Sequence, residues 1–328
     1  MSAATSSASR SHVSAPRHRA GWTIVAAKEF ADHVLSARFL VLLLILGVAA
    51  LIPLYFAAEG IRSVAPVASE VPGIFLYLFR VSPPDFGILR VDLWVSITAP
   101  LLGIAFAFDS INGERHEGTL PRLLSQPIHR DDVINGKFAA GLAVITLVLL
   151  AVVLVITGFG LLRLGVVPGE GELLRVVLWF GVTLLYVALW LAVGLLLSVV
   201  VRGAATSALI GVGLWLFVAI PYFGPALFGL VGGVVTGDPS TQQFLQRLLP
   251  STLYFEVSSV LLNPQVATTA SSLSLSQTIQ SAARFPNAAL SVEQSLLLIW
   301  PHVVTLFGAT VGLFALAYTR FMRQEVRA

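Results

Sequence analysis

The chain has no cysteine, and Asp, Glu, Lys and Arg together make up only 11% of its 328 residues. Without cysteine there are no disulfides, no thiolate chemistry and no cysteine metal sites. So little charge excludes an ordinary soluble domain, in which about a quarter of the residues are charged. Nucleic acid is excluded as a partner too, since no dense basic face could neutralise a row of phosphates. What remains is apolar: 56% of residues are hydrophobic, and the mean hydropathy is +0.87. This is the composition of an integral membrane protein.

Six segments meet the requirement of about 20 predominantly apolar residues for a crossing, at about 38–58, 89–108, 139–161, 176–201, 204–235 and 296–318. An all-α protein with six transmembrane helices is therefore expected. The fifth segment is too long for one simple crossing and is interrupted by Pro221, Gly224 and Pro225. Its outer part is expected to be broken and shielded by protein or water, because lipid cannot satisfy free backbone groups. Ahead of the spans, residues 1–20 are rich in Ser and Ala and lack the apolar core of a secretory signal, and they read as a disordered cytosolic tail. Residues 21–328 form the transmembrane domain. Between Gly21 and Arg38, Trp22, Ala26, Phe30 and Val34 recur along one side at helical spacing, with Lys28, Glu29, Asp32 and Ser36 broadly opposite. That pattern predicts an amphipathic interfacial helix leading into the first span.

Orientation follows from the basic residues. With the first end inside, the cytosolic segments carry thirteen of the 20 Lys and Arg, so both termini are expected in the cytosol. Six spans agree with that placement and seven do not. On the outer side, residues 241–264 suggest short helices packed on the bundle, and residues 265–294 a polar surface loop.

The chain also lacks recognisable catalytic chemistry. No ionisable residue falls in the central third of any expected span, which disfavours a proton relay; Arg90, Asp92 and Asp109 lie at span ends, where snorkelling or interfacial water could serve them. His116 and Glu117 begin a zinc-protease order, but Leu120 stands where the second histidine is required. His129 has no partner at metal spacing. Gly136 and Lys137 imitate the end of a phosphate-binding loop, yet Asp131 replaces its first glycine and Phe138 its Ser or Thr. No cofactor is expected, and any ATP hydrolysis belongs to another polypeptide. Thr146, Thr157, Thr183 and Ser198 could line a hydrated seam, whereas Trp94, Trp190, Trp215, Phe217 and Tyr222 could rim an apolar one.

The longest charged stretch between apolar runs is DSINGERHEGTLPRLLSQPIHRDDVINGK, from Asp109 to Lys137. Gly113 and Gly118 permit a bend or close packing, Leu120, Leu123 and Leu124 give a short apolar stripe beside Arg122, and Asp131 and Asp132 can cap the following helix. Two readings stay open on these residues: a helix under the membrane that seats on a soluble partner, or a helical hairpin loop anchored to lipid headgroups.

Residues 108–141 resemble the corresponding region of ABC-2 type transporter permeases, especially the group similar to copper-processing and sodium-export permeases. The matching residues are Gly113, Glu114, Arg115, Gly118, Thr119, Leu120, Leu123, Leu124, Pro127, Gly136 and Lys137. Ser36, Arg38 and Phe39 at the end of the first helix, and residues 248–264, extend the resemblance over most of the chain. It implies a permease in a prokaryotic plasma membrane that pairs with a second copy or paralogue and with separately encoded P-loop ATPases. The contact is made by a coupling helix in the insert, placed here on Gly113, Glu114, Arg115, Glu117, Gly118, Thr119, Leu120, Arg122, Leu123, Leu124 and Lys137. An exporter of an apolar or amphipathic compound is expected; the alternatives are a sodium-coupled carrier and a non-transporting scaffold for complex assembly.

Overall fold

A computed structural model describes residues 21–63, 73–80, 90–119, 129–218, 224–236, 239–264 and 289–324. Among these residues the fold is entirely helical. Residues 1–20, and with them the expected tail, lie outside this set.

Helix α1 (Gly21–Val34) leads into α2 (Ala37–Ser63), with Ser36 accepting a hydrogen bond from the Phe39 amide at 3.2 Å as an N-cap. A single helical turn, α3 (Tyr77–Arg80), precedes α4 (Val91–Ala107), which continues through a turn into α5 (Asn112–His116). Two long helices follow, α6 (Arg130–Leu164) and α7 (Glu170–Val200), and the last is α12 (Val292–Met322).

Five helical stretches are long and apolar enough to cross a membrane: Ala37–Arg62, Val91–His116, Arg130–Leu164, Glu170–Val200 and Val292–Met322. The fifth expected span is corrected. Residues 204–235 do not form one crossing helix; they form α8 (Ala204–Val218) and α9 (Gly224–Thr236). At 1.5 Å per residue α8 is only about 22 Å long, short of a hydrocarbon core of about 30 Å. Pro221 lies between the two helices, and a proline can neither donate to the helical ladder nor avoid the carbonyl one turn back. Two further short helices follow: α11 (Pro250–Leu262) packs on the bundle as expected, whereas α10 (Pro239–Arg247) packs mainly against α9.

The centre of the bundle is the crossing of α4 and α7. A Cβ added at Gly103 would stand 2.7 Å from the Leu191 amide nitrogen, and one at Gly194 would stand 2.9 Å from the Ala107 Cβ. Glycine at both places lets the two backbones touch, which is how packing replaces the hydrophobic drive inside lipid. Helix α11 lies against the first half of α7. Its fully buried Tyr254 stacks on Tyr186 with ring centroids 4.5 Å apart, and Trp179 donates to Ser258 at 2.9 Å.

Helix α1 packs along the start of α6, where a Cβ at Gly136 would lie 2.7 Å from the Val25 Cβ. The face that turns inward is not the one the apolar spacing predicts: Val25 and Glu29 are buried and Trp22 is exposed. A charge partner for Glu29 on α6 outweighs the apolar stripe. The C-terminal end of α12 reaches the same end of the bundle, since Gln324 accepts from Arg115 at 2.6 Å and donates to the Val199 carbonyl at 2.9 Å.

Candidate functional site

The insert begins on a well-anchored turn. The amides of Ile111 and Asn112 both donate to the Ser198 hydroxyl of α7, at 2.9 and 3.2 Å, so the start of α5 is fixed to the end of α7. Asp109 receives both guanidinium nitrogens of Arg38, at 3.0 and 2.6 Å, which ties the turn to the start of α2. A fork-to-fork pair of this kind fixes geometry as well as charge. Asp109 is thus met by protein.

The middle of α5 carries the main electrostatic feature. Lys137 of α6 places its ammonium 2.7 Å from Glu114 and 2.9 Å from Glu29, and its side chain is only 3% exposed. One buried cation therefore joins α1, α5 and α6. Arg115, the next residue, reaches Gln324, whose carbonyl also accepts from Arg130 at 2.9 Å. Asp132 accepts from the His129 amide at 3.0 Å and from the Trp22 amide at 2.9 Å, so it caps α6 and holds the start of α1 together.

Beyond Arg115 the surface opens. His116, Glu117, Gly118 and Thr119 are exposed. Gly118 has φ +68°, a left-handed conformation suited to glycine after a helix end. Gly113 is different: a Cβ there would meet nothing closer than 3.6 Å, so its backbone needs no glycine. Leu120, Arg122, Leu123 and Leu124 lie outside the described residues. Of the expected contact residues, the structure brings Glu114 and Lys137 together, turns Arg115 to Gln324, folds the Thr119 hydroxyl back onto the Glu114 carbonyl at 3.2 Å, and leaves Glu117 and Gly118 exposed.

The opposite end of the bundle holds charges that the sequence reading left to snorkelling or interfacial water. Arg90 and Asp92 instead bond to each other, Nε to Oδ1 at 2.9 Å, with both side chains nearly inaccessible. The Arg90 guanidinium also lies 5.4 Å from the centroid of the Phe255 ring. Arg175 of α7 is buried, donating to the Leu290 carbonyl at 2.5 Å, to Ser295 at 2.9 Å and to the Leu261 carbonyl at 3.4 Å. It serves carbonyls that the end of α11 leaves without helical partners. Glu256 of α11 binds Arg247 at 3.0 Å and His302 of α12 at 2.5 Å. Burial pushes the Glu256 carboxyl up, but the bonds from His302 and Arg247 outweigh it and hold it below its ordinary value.

Three of the four hydroxyls considered for a hydrated seam are engaged separately: Thr146 donates to the Leu142 carbonyl at 2.7 Å, Thr183 to the Trp179 carbonyl at 2.8 Å, and Ser198 accepts from the Ile111 and Asn112 amides. Trp190 is buried and Trp215 donates to the Ile97 carbonyl at 2.7 Å. Tyr222 lies outside the described residues.

A family model for the ABC-2 family transporter protein matches residues 23–326. The chain belongs to that family. A comparison with curated proteins returns no match. As an ABC-2 type permease the chain is a non-catalytic, multi-pass membrane component with a general role in transport. The Glu114–Lys137–Glu29 junction lies within this permease's matched region, as do the charges at the opposite end.

Proposed function

We propose that this chain is the membrane half of an ATP-driven exporter, with α5 and the exposed residues after it seated on a separately encoded P-loop ATPase. The observation that carries this reading is the mounting of α5. Glu114 is locked to Lys137 and through it to Glu29, while Glu117 and Gly118 lie exposed just beyond and Thr119, also exposed, turns its hydroxyl back to the Glu114 carbonyl at 3.2 Å. A push received at Glu117 is passed to α1, α6 and α7 together, because packed elements shift as units. Lys137, being buried, acts by holding α5 in place, and Glu117 supplies the exposed contact. Arg122 and the leucines after it complete that contact.

The α1 end is then cytosolic, in line with the bias of Lys and Arg, and the membrane is a prokaryotic plasma membrane. Both described chain ends lie there, which requires an even number of traverses. Helix α8 starts beside the end of α7 and brings Trp215 to Ile97 in the first half of α4, so it runs back along α4, and we take it, though shorter than the hydrocarbon core, as the return traverse between α7 and α12. Pairing with a second permease copy or paralogue completes the transporter.

The cargo is read as apolar or amphipathic. An opening of about 350 Å³ between α6, α7 and α12 is lined by Phe138, Leu142, Leu184, Phe307 and Phe314. Proteoliposomes containing the permease and its ATPase test the assignment. Cargo movement should require ATP; movement driven by an ion gradient without ATP would overturn it. ATP-dependent transport of a hydrophilic ion alone would remove only the cargo reading.

A further inference from the structure

The seam between α6 and α12 carries two rungs. In one, Phe138 of α6 meets Phe314 of α12 with ring centroids 4.6 Å apart, and both rings line the opening of about 350 Å³ together with Leu142, Leu184, Phe307 and Val311. In the other, the Arg130 guanidinium of α6 lies 5.6 Å from the centroid of the Phe321 ring of α12. Phe321 stands two helical turns beyond Phe314, and Arg130 a little over two turns before Phe138. Both rungs therefore share one face of each helix, about 10 to 12 Å apart along it. Arg130 stands at the foot of an apolar groove.

That foot carries positive charge without a carboxylate. Arg130 donates to the Gln324 carbonyl at 2.9 Å and Arg115 to the Gln324 side-chain oxygen at 2.6 Å, so two guanidinium groups converge on one neutral residue. The neighbouring acids are engaged elsewhere: Glu114 by Lys137, Asp109 by Arg38, and Asp132 by the His129 and Trp22 amides. Among the described residues neither arginine forms an ion pair, Asp131 beside Arg130 included, and Arg130 Nε is buried with no hydrogen-bond partner. A buried donor on a cation left without an acceptor is costly. Along α6 the opening runs from Phe138 to Thr146, about 12 to 24 Å from Arg130. Half a bilayer with its headgroups is about 20 Å deep, so the opening reaches the midplane from the leaflet on the α1 side.

We propose that this seam binds one anionic phospholipid from that leaflet, its acyl chain lying between α6, α7 and α12 and its phosphate on Arg130 and Arg115. The apolar lining accepts a chain of any headgroup class, and the arginine forks select for net negative charge. A free phosphate would satisfy the arginines and leave the groove unfilled; the lipid does both. Binding needs the permease alone, so it stands apart from ATP-driven transport, which the ATP-dependence of cargo movement tests separately.

The experiment uses the full-length protein, without an ATPase, in phosphatidylcholine nanodiscs containing a minority of phosphatidylglycerol. Native mass spectrometry counts retained lipid, and a photoactivatable group on the acyl chain maps its position. The wild type should retain one phosphatidylglycerol per chain above the phosphatidylcholine background, crosslinked at Phe138 to Thr146 and at Phe307 to Phe314. Replacing both arginines, Arg115→Gln with Arg130→Gln, should lower the preference for phosphatidylglycerol about tenfold or more, and Arg130→Lys should keep part of it. Val311→Trp narrows the opening and should lower crosslinking by either lipid. The wild-type count and crosslinks decide even if the double variant fails to fold. No enrichment of phosphatidylglycerol in the wild type, equal enrichment in a folded double variant, or crosslinks spread evenly over the outward faces of α2 and α12 overturns the proposal. So does enrichment that emerges only in Glu325→Gln, because the counter-charge would then come from the chain itself.

Discussion

The two ends of the bundle handle buried charge in opposite ways. At the α1 end Lys137 faces two carboxylates, and Arg38 and Asp109 match one to one, so each cation joins elements distant in sequence. At the other end Arg175 is answered by carbonyls and a hydroxyl, and Arg90 pairs with Asp92 only two residues away. The buried Lys137 resists shear between the helices it joins, because separating it from its carboxylates leaves a buried charge alone. Carbonyl ligands are neutral, and their exchange leaves a smaller penalty. The α1 end is thereby built as one stiff body, and the opposite end can let α11 and α12 shift against α7.

That contrast is broken most severely at Lys137. Lys137→Met leaves Glu29 and Glu114 facing each other without their cation and should cost about 3 to 5 kcal/mol. Proteolysis within α1 should accelerate while protection of α7 and α12 changes little. Equal loss of protection across all helices would show that the junction does not act locally.

Arg175→Leu comes next and tests the opposite end. It removes the donor that serves Leu261 and Leu290, with an expected loss of about 1.5 to 3 kcal/mol. Amide exchange should rise in α11 and at the start of α12. A loss as large as that of Lys137→Met would erase the difference drawn between the two ends.

Glu117→Ala should change stability by no more than about 0.5 kcal/mol, since the side chain is exposed and no bond to it is seen. If α5 is the ATPase contact, this substitution should uncouple hydrolysis from transport in the assembled transporter. Unchanged coupling alongside unchanged stability would move the contact away from Glu117.

The apolar runs made the five long helices legible, because length and hydropathy are properties of a segment by itself. The order of residues from Gly113 to Lys137 carried the family resemblance, and the matched region spans residues 23–326. Partner choice was less legible. Glu29 sits on the polar side of its own helix and gives no local sign that it is buried against Lys137. Arg175 reads as an ordinary cation near a helix start until α11 and the start of α12 close around it. The fifth segment showed its interruption through Pro221 and Pro225, whereas how α11 packs back onto α7 depends on tertiary contacts such as Tyr254 with Tyr186.

The smallest effect expected is a pH dependence confined to the α1 end. His33 lies half-buried at the end of α1 with its ring edge-on to Phe106, centroids 5.1 Å apart. Burial lowers its pKa below the ordinary 6.5; Lys137 and Arg38 add to the lowering, and Glu29 and Asp109 oppose it. With α1 undocked, His33 returns to its ordinary value and binds a proton more readily. Docking is therefore fully supported above about pH 6.5, and His33's contribution is lost as pH falls through that value toward the lower folded pKa. Amide exchange in α1, compared between pH 7.5 and 5.5 and corrected for the intrinsic rate, should show weaker protection at the acid end. His33→Gln should flatten the change. Exchange in the centre of α7 should hold steady in both proteins, since Tyr186 and Trp190 there are buried far from the docking surface. An unchanged acid response in His33→Gln would show that His33 is not its source.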